Sequence, residues 1–166
     1  MKLYFSPGAC SLSPHIALRE AGLDFEAVKV ALGTHTLTDG SSFDAVNPKG
    51  YVPALILDSG LLLTEGPAIV QYIADQKPES HLAPPNGTIE RYQLMSWLNF
   101  ISSELHKQFS PLFDKSTTPE VRAVSMKTSA RWPTAQFGGS SPTRTSTTNS
   151  RVSRSASRPT RATSPV

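Results

Sequence analysis

Acidic residues stop at Glu120, and apolar periodicity stops a few residues later. This break bounds the fold more tightly than any single motif, because a core has to be built from what precedes it. From residue 127 onward Ser, Thr, Arg and Pro dominate. Such a stretch has too little apolar area to offset an ordering cost of about 1–2 kcal/mol per residue. The net charge of +3 conceals the same division. Through Glu120 there are 13 acidic and 8 basic residues, and from Val121 on there are 8 basic and no acidic ones. The basic balance belongs to the tail, and the remainder is mildly acidic.

Before the break the pattern is regular. Residues 2–5 read as a strand. A helix follows over 13–21, with Ser13 as its N-cap, Pro14 at the first helical position and Gly22 ending it. Residues 25–32 alternate as a second strand, and 33–42 read as a polar loop. One helical turn over 43–46 leads into the turn Asn47-Pro48-Lys49-Gly50. Two apolar runs around Asp58-Ser59-Gly60 make a hairpin, and Gly66-Pro67 opens a helix that stops near Lys77-Pro78. The order β-α-β-α-β-β-α predicts a small mixed sheet covered by helices. Residues 78–88 read as a linker and 89–109 as one long amphipathic helix. A last helix starts at Pro119 with Thr118 as its cap.

Cys10 is the only cysteine. It stands between an apolar strand and a helix N-terminus, where free N–H groups and the helix dipole favour a thiolate. A small buried hydrophobe is an equally good reading of a lone thiol. One cysteine excludes an intrachain disulfide and a Cys-rich zinc site, and fits a reducing cytosol. No His, Asp, Glu and Cys spacing argues for a metal. The N-terminal apolar run breaks at Pro7, too early for a signal peptide, and no segment approaches a membrane span.

Several segments, in order and at the right spacing, give the chain a family resemblance. They are Tyr4 through Pro14 around Cys10, Asn47-Pro48-Lys49-Gly50-Tyr51-Val52-Pro53-Ala54-Leu55, Leu63-Thr64-Glu65-Gly66, Gln71-Tyr72-Ile73-Ala74-Asp75, Trp97-Leu98-Asn99-Phe100 and Glu104-Leu105-His106-Lys107. From Met1 to about Val124 the chain resembles a bacterial glutathione S-transferase of the beta class. The resemblance implies an α/β thioredoxin-like N-terminal domain over residues 1–77 and the linker at 78–88. An incomplete all-α C-terminal domain would follow over 89–126, and then a disordered tail over 127–166. It also implies glutathione as substrate, a small electrophile as second substrate, a cytoplasmic detoxifying role and a homodimer.

The same resemblance assigns the site. Cys10 would form a mixed disulfide with glutathione or hydrogen-bond its thiolate. Val52, turned outward before a cis Pro53, would pair its backbone with the cysteinyl part. Glu65 and Gly66, at a helix start, would take the γ-glutamyl end. His35 would face the glycyl carboxylate, a departure from the lysine often found there; a lone loop histidine otherwise reads as exposed. Asn99, Ser103 and His106 fall at four- and three-residue steps on one helix face. The resemblance sets that face over the thiol, adds Glu104 and Leu105 to the contacts, and makes His106 the second catalytic residue. By composition alone His106 and Lys107 are simply cations favoured at a helix C-terminus.

The resembled domain continues with several more helices, and this chain supplies none. A reading-frame shift near residues 124–127 accounts for so abrupt a change; translation of the other frames tests it. The arginines from Arg144 to Arg161 are interleaved with Ser and Thr, and no aromatic residue follows Phe137, which disfavours nucleic-acid binding. Two function classes remain: a glutathione transferase or thiol exchanger, and a truncated, catalytically silent chain that at most binds glutathione.

Overall fold

The computed structural model of the chain describes residues 1–130. Expectations for the rest of the tail, its arginines included, lie outside the described residues. Five strands form one mixed sheet: β1 (Lys2–Phe5), β2 (Glu26–Ala31), β3 (Thr36–Leu37), β4 (Ala54–Ile56) and β5 (Leu62–Thr64). The spatial order is β3-β2-β1-β4-β5. β1 and β2 are parallel and joined by α1 (Leu12–Glu20), while β4 and β5 run antiparallel to their neighbours as the predicted hairpin. α2 (Gly66–Gln76) follows the hairpin. This is the thioredoxin-like arrangement.

Strand alternation splits the core in two. Leu3 and Leu55 point to the face covered by α1 and α2, where they meet Leu18, Ala21, Ile69 and Ile73. Their neighbours Tyr4 and Ala54 point to the other face and meet Val30, Phe43 and Val52. Side chains of period two require this division. Leu3, Leu18, Leu55, Phe43, Ile69 and Ile73 are all 0% exposed. Burying one such side chain contributes about 1.5–3 kcal/mol.

The local differences from the sequence reading have physical causes. α1 begins at Leu12, with Ser11 and not Ser13 at the cap position. Ser11 makes no capping bond; its buried hydroxyl accepts from the Ser6 N–H at 3.1 Å and donates to the Ser6 carbonyl at 3.2 Å. The polar loop after β2 contains β3, which pairs with β2 through only two residue pairs, Val30–Leu37 and Ala31–Thr36. Gly50, with φ of 68°, closes the Asn47 turn through its N–H to the Asn47 carbonyl.

The helical part starts with α3 (Ile89–Phe100), capped by Thr88, whose hydroxyl accepts from the Arg91 N–H at 3.2 Å. The expected single helix over 89–109 is interrupted by a π-helical turn, Ile101–Leu105, before α4 (His106–Gln108). Its i→i+5 bonding takes in one residue more than an α-turn, so faces do not carry across it in register. α5 (Ser110–Phe113) and α6 (Pro119–Ala130) follow. Arg122 ties them by donating to the carbonyls of Leu112, Asp114 and Thr117. α6 runs past residue 126, where the sequence pattern set the boundary of the tail. Tyr92 and Met95 on α3 are 58% and 42% exposed, so its apolar stripe is only partly covered.

Candidate functional site

Cys10 stands where β1 turns into α1. Inside the turn, Ala9 donates to Ser6 and Leu12 donates to Ala9. The hydroxyl of Ser11 closes the loop from within and leaves Cys10 on the exposed side. The Cys10 Sγ–H donates to the Val52 carbonyl at 3.2 Å. The Val52–Pro53 peptide bond is cis. Among the described residues the Val52 N–H has no protein acceptor.

Desolvation pushes the Cys10 thiol above its ordinary pKa. The backbone N–H groups of Cys10 and Ser11 pull it down, as a helix start should, but by less. Of two smaller influences, the Glu65 carboxylate raises it and the Lys107 ammonium lowers it. The expectation of a thiol shifted toward the thiolate is therefore corrected: the helix-terminus effect is present, and partial desolvation of the sulfur outweighs it although the residue stays open to solvent.

An open cleft of about 500 Å³ lies over Cys10. Leu12 and Ile16 of α1 form one wall, and His106, Phe109 and Phe113 form the other. Of the residues taken from the helical segment, His106 alone lines this cleft; Asn99, Ser103, Glu104 and Leu105 do not. The π-turn lies between Asn99 and His106, so their three- and four-residue spacing no longer means a shared face.

Glu65 caps the start of α2 with φ of 68°. A non-glycine residue there is uncommon and costs of order 1–3 kcal/mol, a strain that gathers at functional sites. Its carbonyl accepts from Ala68 and Ile69, both at 3.0 Å. Its carboxylate receives Lys49 Nζ at 3.3 Å. Gly66 sits over Pro53: a Cβ there would lie 3.9 Å from Pro53 Cγ. His35, also at positive φ, is tied and not free: its Nδ1 lies 2.7 Å from Asp44 Oδ1, and its ring packs over Gly50. Among the described residues no cluster of His, Cys, Asp and Glu could hold a metal ion. No helix among them is long and apolar enough to cross a membrane.

The sequence reading missed the apolar walls and Lys49. A signal for the first was present: Leu12 and Ile16 are four apart on the side of α1 opposite the buried Pro14 and Leu18.

The sequence model of the glutathione S-transferase N-terminal domain family matches residues 8–76. Glutathione S-transferase GstA of Escherichia coli O157:H7 is 54% identical over 122 residues, which are 74% of this chain and 61% of the relative. The structure of a sphingomonad glutathione S-transferase complexed with glutathione superposes with a TM-score of 0.77 at 56% identity, covering 79% of this chain and 65% of that one. The beta-class glutathione S-transferase of Sphingomonas chungbukensis gives the same TM-score of 0.77 at 56% identity and the same coverages, 79% and 65%. The chain thus spans less than two thirds of the length of these relatives. It carries a glutathione S-transferase N-terminal domain over residues 8–76, and over 74–79% of its length it is similar to bacterial glutathione S-transferases, a beta-class enzyme among them.

Proposed function

We propose that this chain binds glutathione on its thioredoxin-like part and passes it to a small electrophile, or exchanges it as a mixed disulfide through Cys10. The observation that carries the reading is the 3.2 Å contact with the Val52 carbonyl made by Cys10, which itself lines the apolar cleft. Both residues belong to the site the family resemblance assigns. The cysteinyl backbone of glutathione pairs with the unpartnered Val52 N–H, in the manner of an added strand. Its thiol then lies beside Cys10. Glu65 takes the ligand ammonium at the start of α2 and Gly66 offers its N–H to the ligand carboxylate. His35 is within the loop that would meet the glycyl end. His106 overlooks the reacting sulfur, and Asn99, Ser103, Glu104 and Leu105 belong to the proposed contacts through the family resemblance only.

The raised pKa of Cys10 favours one of the two roles at neutral pH. A protonated thiol donates a hydrogen bond to the glutathione thiolate and lowers that sulfur's pKa. The thiolate then attacks the electrophilic carbon, and the leaving group departs with its bonding electrons. In the exchange reaction, the Cys10 thiolate attacks one sulfur of oxidised glutathione. A protein–glutathione disulfide forms and one glutathione thiolate leaves. The apolar walls suit an electrophile with an aromatic or aliphatic body.

A homodimer and a cytoplasmic, detoxifying role complete the proposal. The exposed Tyr92 and Met95 on α3 support a second copy as their cover. The domains are proposed as 1–77 and 89–126 about the linker 78–88, with 127–166 as a tail. The rival reading is a chain that binds glutathione without turnover. Calorimetric glutathione titration and a conjugation assay with an aromatic halide, run on the purified chain and on a version extended to the relatives' length, separate the two. Binding with turnover supports the transferase; binding without turnover supports the rival; no binding sinks both.

A further inference from the structure

Lys49 is the cation bonded at the start of α2, and the reading above gives it no role. Its ammonium donates to Glu65 Oε1 at 3.3 Å and to Thr64 Oγ1 at 3.2 Å. Lys49 and Glu65 come from different segments, the Asn47 turn and the β5–α2 junction. Both side chains stay open to solvent, 56% and 71% exposed, so a ligand can reach them.

Counting donors shows what this corner lacks. A helix start normally presents several free N–H groups to an anion. Here Pro67 has none, and the N–H groups of Ala68 and Ile69 are bonded to the Glu65 carbonyl. Within the first turn of α2, Gly66 alone has an N–H without an acceptor among the described residues. Gly66 also brings no side chain. One amide is a thin partner for a carboxylate with four lone-pair sites. The Glu65 carboxylate nearby makes matters worse for an anion unless a cation offsets it.

We propose that Lys49 is a specificity residue of the γ-glutamyl site, pairing with the ligand's α-carboxylate while it holds Glu65 for the ligand's α-ammonium. The proposal rests on the glutathione reading. Lys49 engages Oε1 only, so Oε2 stays available to the ammonium. The zwitterionic end of the ligand then meets a cation and an anion in the opposite order. Such a pair rejects ligands that lack either charge, because one protein charge is then left with an unfavourable neighbour. The interaction is solvent-exposed, so its effect is moderate.

The test uses the full chain, three ligands and calorimetry. The ligands are glutathione, γ-aminobutyryl-cysteinylglycine, which lacks the α-carboxylate, and glutaryl-cysteinylglycine, which lacks the α-ammonium. Lys49→Met is expected to weaken glutathione by roughly fivefold. It should leave γ-aminobutyryl-cysteinylglycine within about twofold, since that ligand has no carboxylate to lose. Lys49→Arg should restore most of the glutathione affinity, and an unchanged melting temperature in both variants separates recognition from folding. Equal weakening of glutathione and γ-aminobutyryl-cysteinylglycine, or undiminished glutathione binding by Lys49→Met, overturns the role of Lys49. If the unaltered chain binds no glutathione, the underlying reading fails and the proposal falls with it.

Discussion

Arg91 faces Asp75 end-on, with Nη1 to Oδ1 and Nη2 to Oδ2 both at 2.9 Å. The same guanidinium donates from Nε to Gln71 Oε1 at 3.1 Å and from Nη1 to the Pro84 carbonyl at 3.0 Å. One side chain, 3% exposed, thereby joins α2, the linker and α3. The geometry needs the planar fork of arginine; a lysine reaches only one oxygen at a time. This bond network fixes where α3 leaves the sheet domain, and so where its continuation, with His106, comes to lie.

Arg91→Met should therefore destabilise the chain by about 2–3 kcal/mol, through the Asp75 carboxylate and Pro84 carbonyl left without their donor. The Arg91 bond also sets a pH dependence. It holds the Asp75 carboxyl below the usual carboxylate range, helped by Asn86. A depressed folded-state value means that the stabilisation is complete above the unfolded pKa of about 3.9 and is lost as pH falls through the folded value. Melting curves between neutral pH and strong acid should show the parent losing stability below about pH 4 more steeply than Asp75→Asn. Parallel acid profiles for the two would contradict the assignment.

Gly50 is the backbone position least able to accept a side chain. Its φ is 68°, and a Cβ would stand 2.6 Å from His35 Cε1 and 3.4 Å from Asp44 Oδ1. Gly50→Ala should cost about 1–2 kcal/mol, combining positive-φ strain with displacement of the His35 ring. Urea unfolding measures the cost, and a neutral substitution would show that the loop carrying His35 is free to move aside.

Glu65→Ala should weaken glutathione more than His35→Ala does. In the proposed site Glu65 pairs with the ligand's ammonium, a charge-assisted contact worth about 1.5–3 kcal/mol when well shielded and less at this exposed corner. A severalfold loss in affinity is expected. The His35 ring is already engaged by Asp44, so its removal takes away less from the ligand. Calorimetric titration of both variants gives the order, and the reverse order would falsify the assignment of Glu65.

Much of this was legible in the sequence, and the residues show why. The strand at 2–5 and the hairpin around Asp58-Ser59-Gly60 are short-range patterns, and the structure has them as read. Cys10 could be placed on its turn because a strand and a helix start flank it. What local pattern could not give was the outcome of competition at a distance. Ser11 forgoes its capping bond for Ser6, so the apparent cap at Ser13 misleads. The π-turn at 101–105 has no simple residue code, and it removes the face that spacing implies for Asn99 and His106. The raised Cys10 thiol follows from partial desolvation, a property of the assembled site and not of the flanking helix.

Phe113→Ala should separate the cleft proposed for the second substrate from the thiol chemistry. Phe113 lines the cleft yet is 81% exposed, so its removal costs the fold little. An aromatic electrophile loses a packing surface worth about 1 kcal/mol, a rise of severalfold in its KM. Modification of Cys10 by oxidised glutathione should proceed at the parent rate, since Phe113 touches neither sulfur in the exchange. Steady-state kinetics with an aromatic halide and intact-mass time courses give the two readouts. An unchanged KM would remove Phe113 from the cleft's working surface.

Cys10 itself should titrate late in the ligand-free chain. Its rate of alkylation by iodoacetamide reports the thiolate fraction, and should reach half its plateau at a pH above the ordinary cysteine value of about 8.5. The two charges nearest in effect give the sign of each variant. Glu65 raises the value, so Glu65→Gln should shift the midpoint down; Lys107 lowers it, so Lys107→Met should shift it up. Desolvation is the larger influence, so neither variant should bring the midpoint below that of a free cysteine. A midpoint near pH 7 in the parent would mean that the helix start governs this thiol after all, and Cys10 would then act as a resting nucleophile rather than a hydrogen-bond donor.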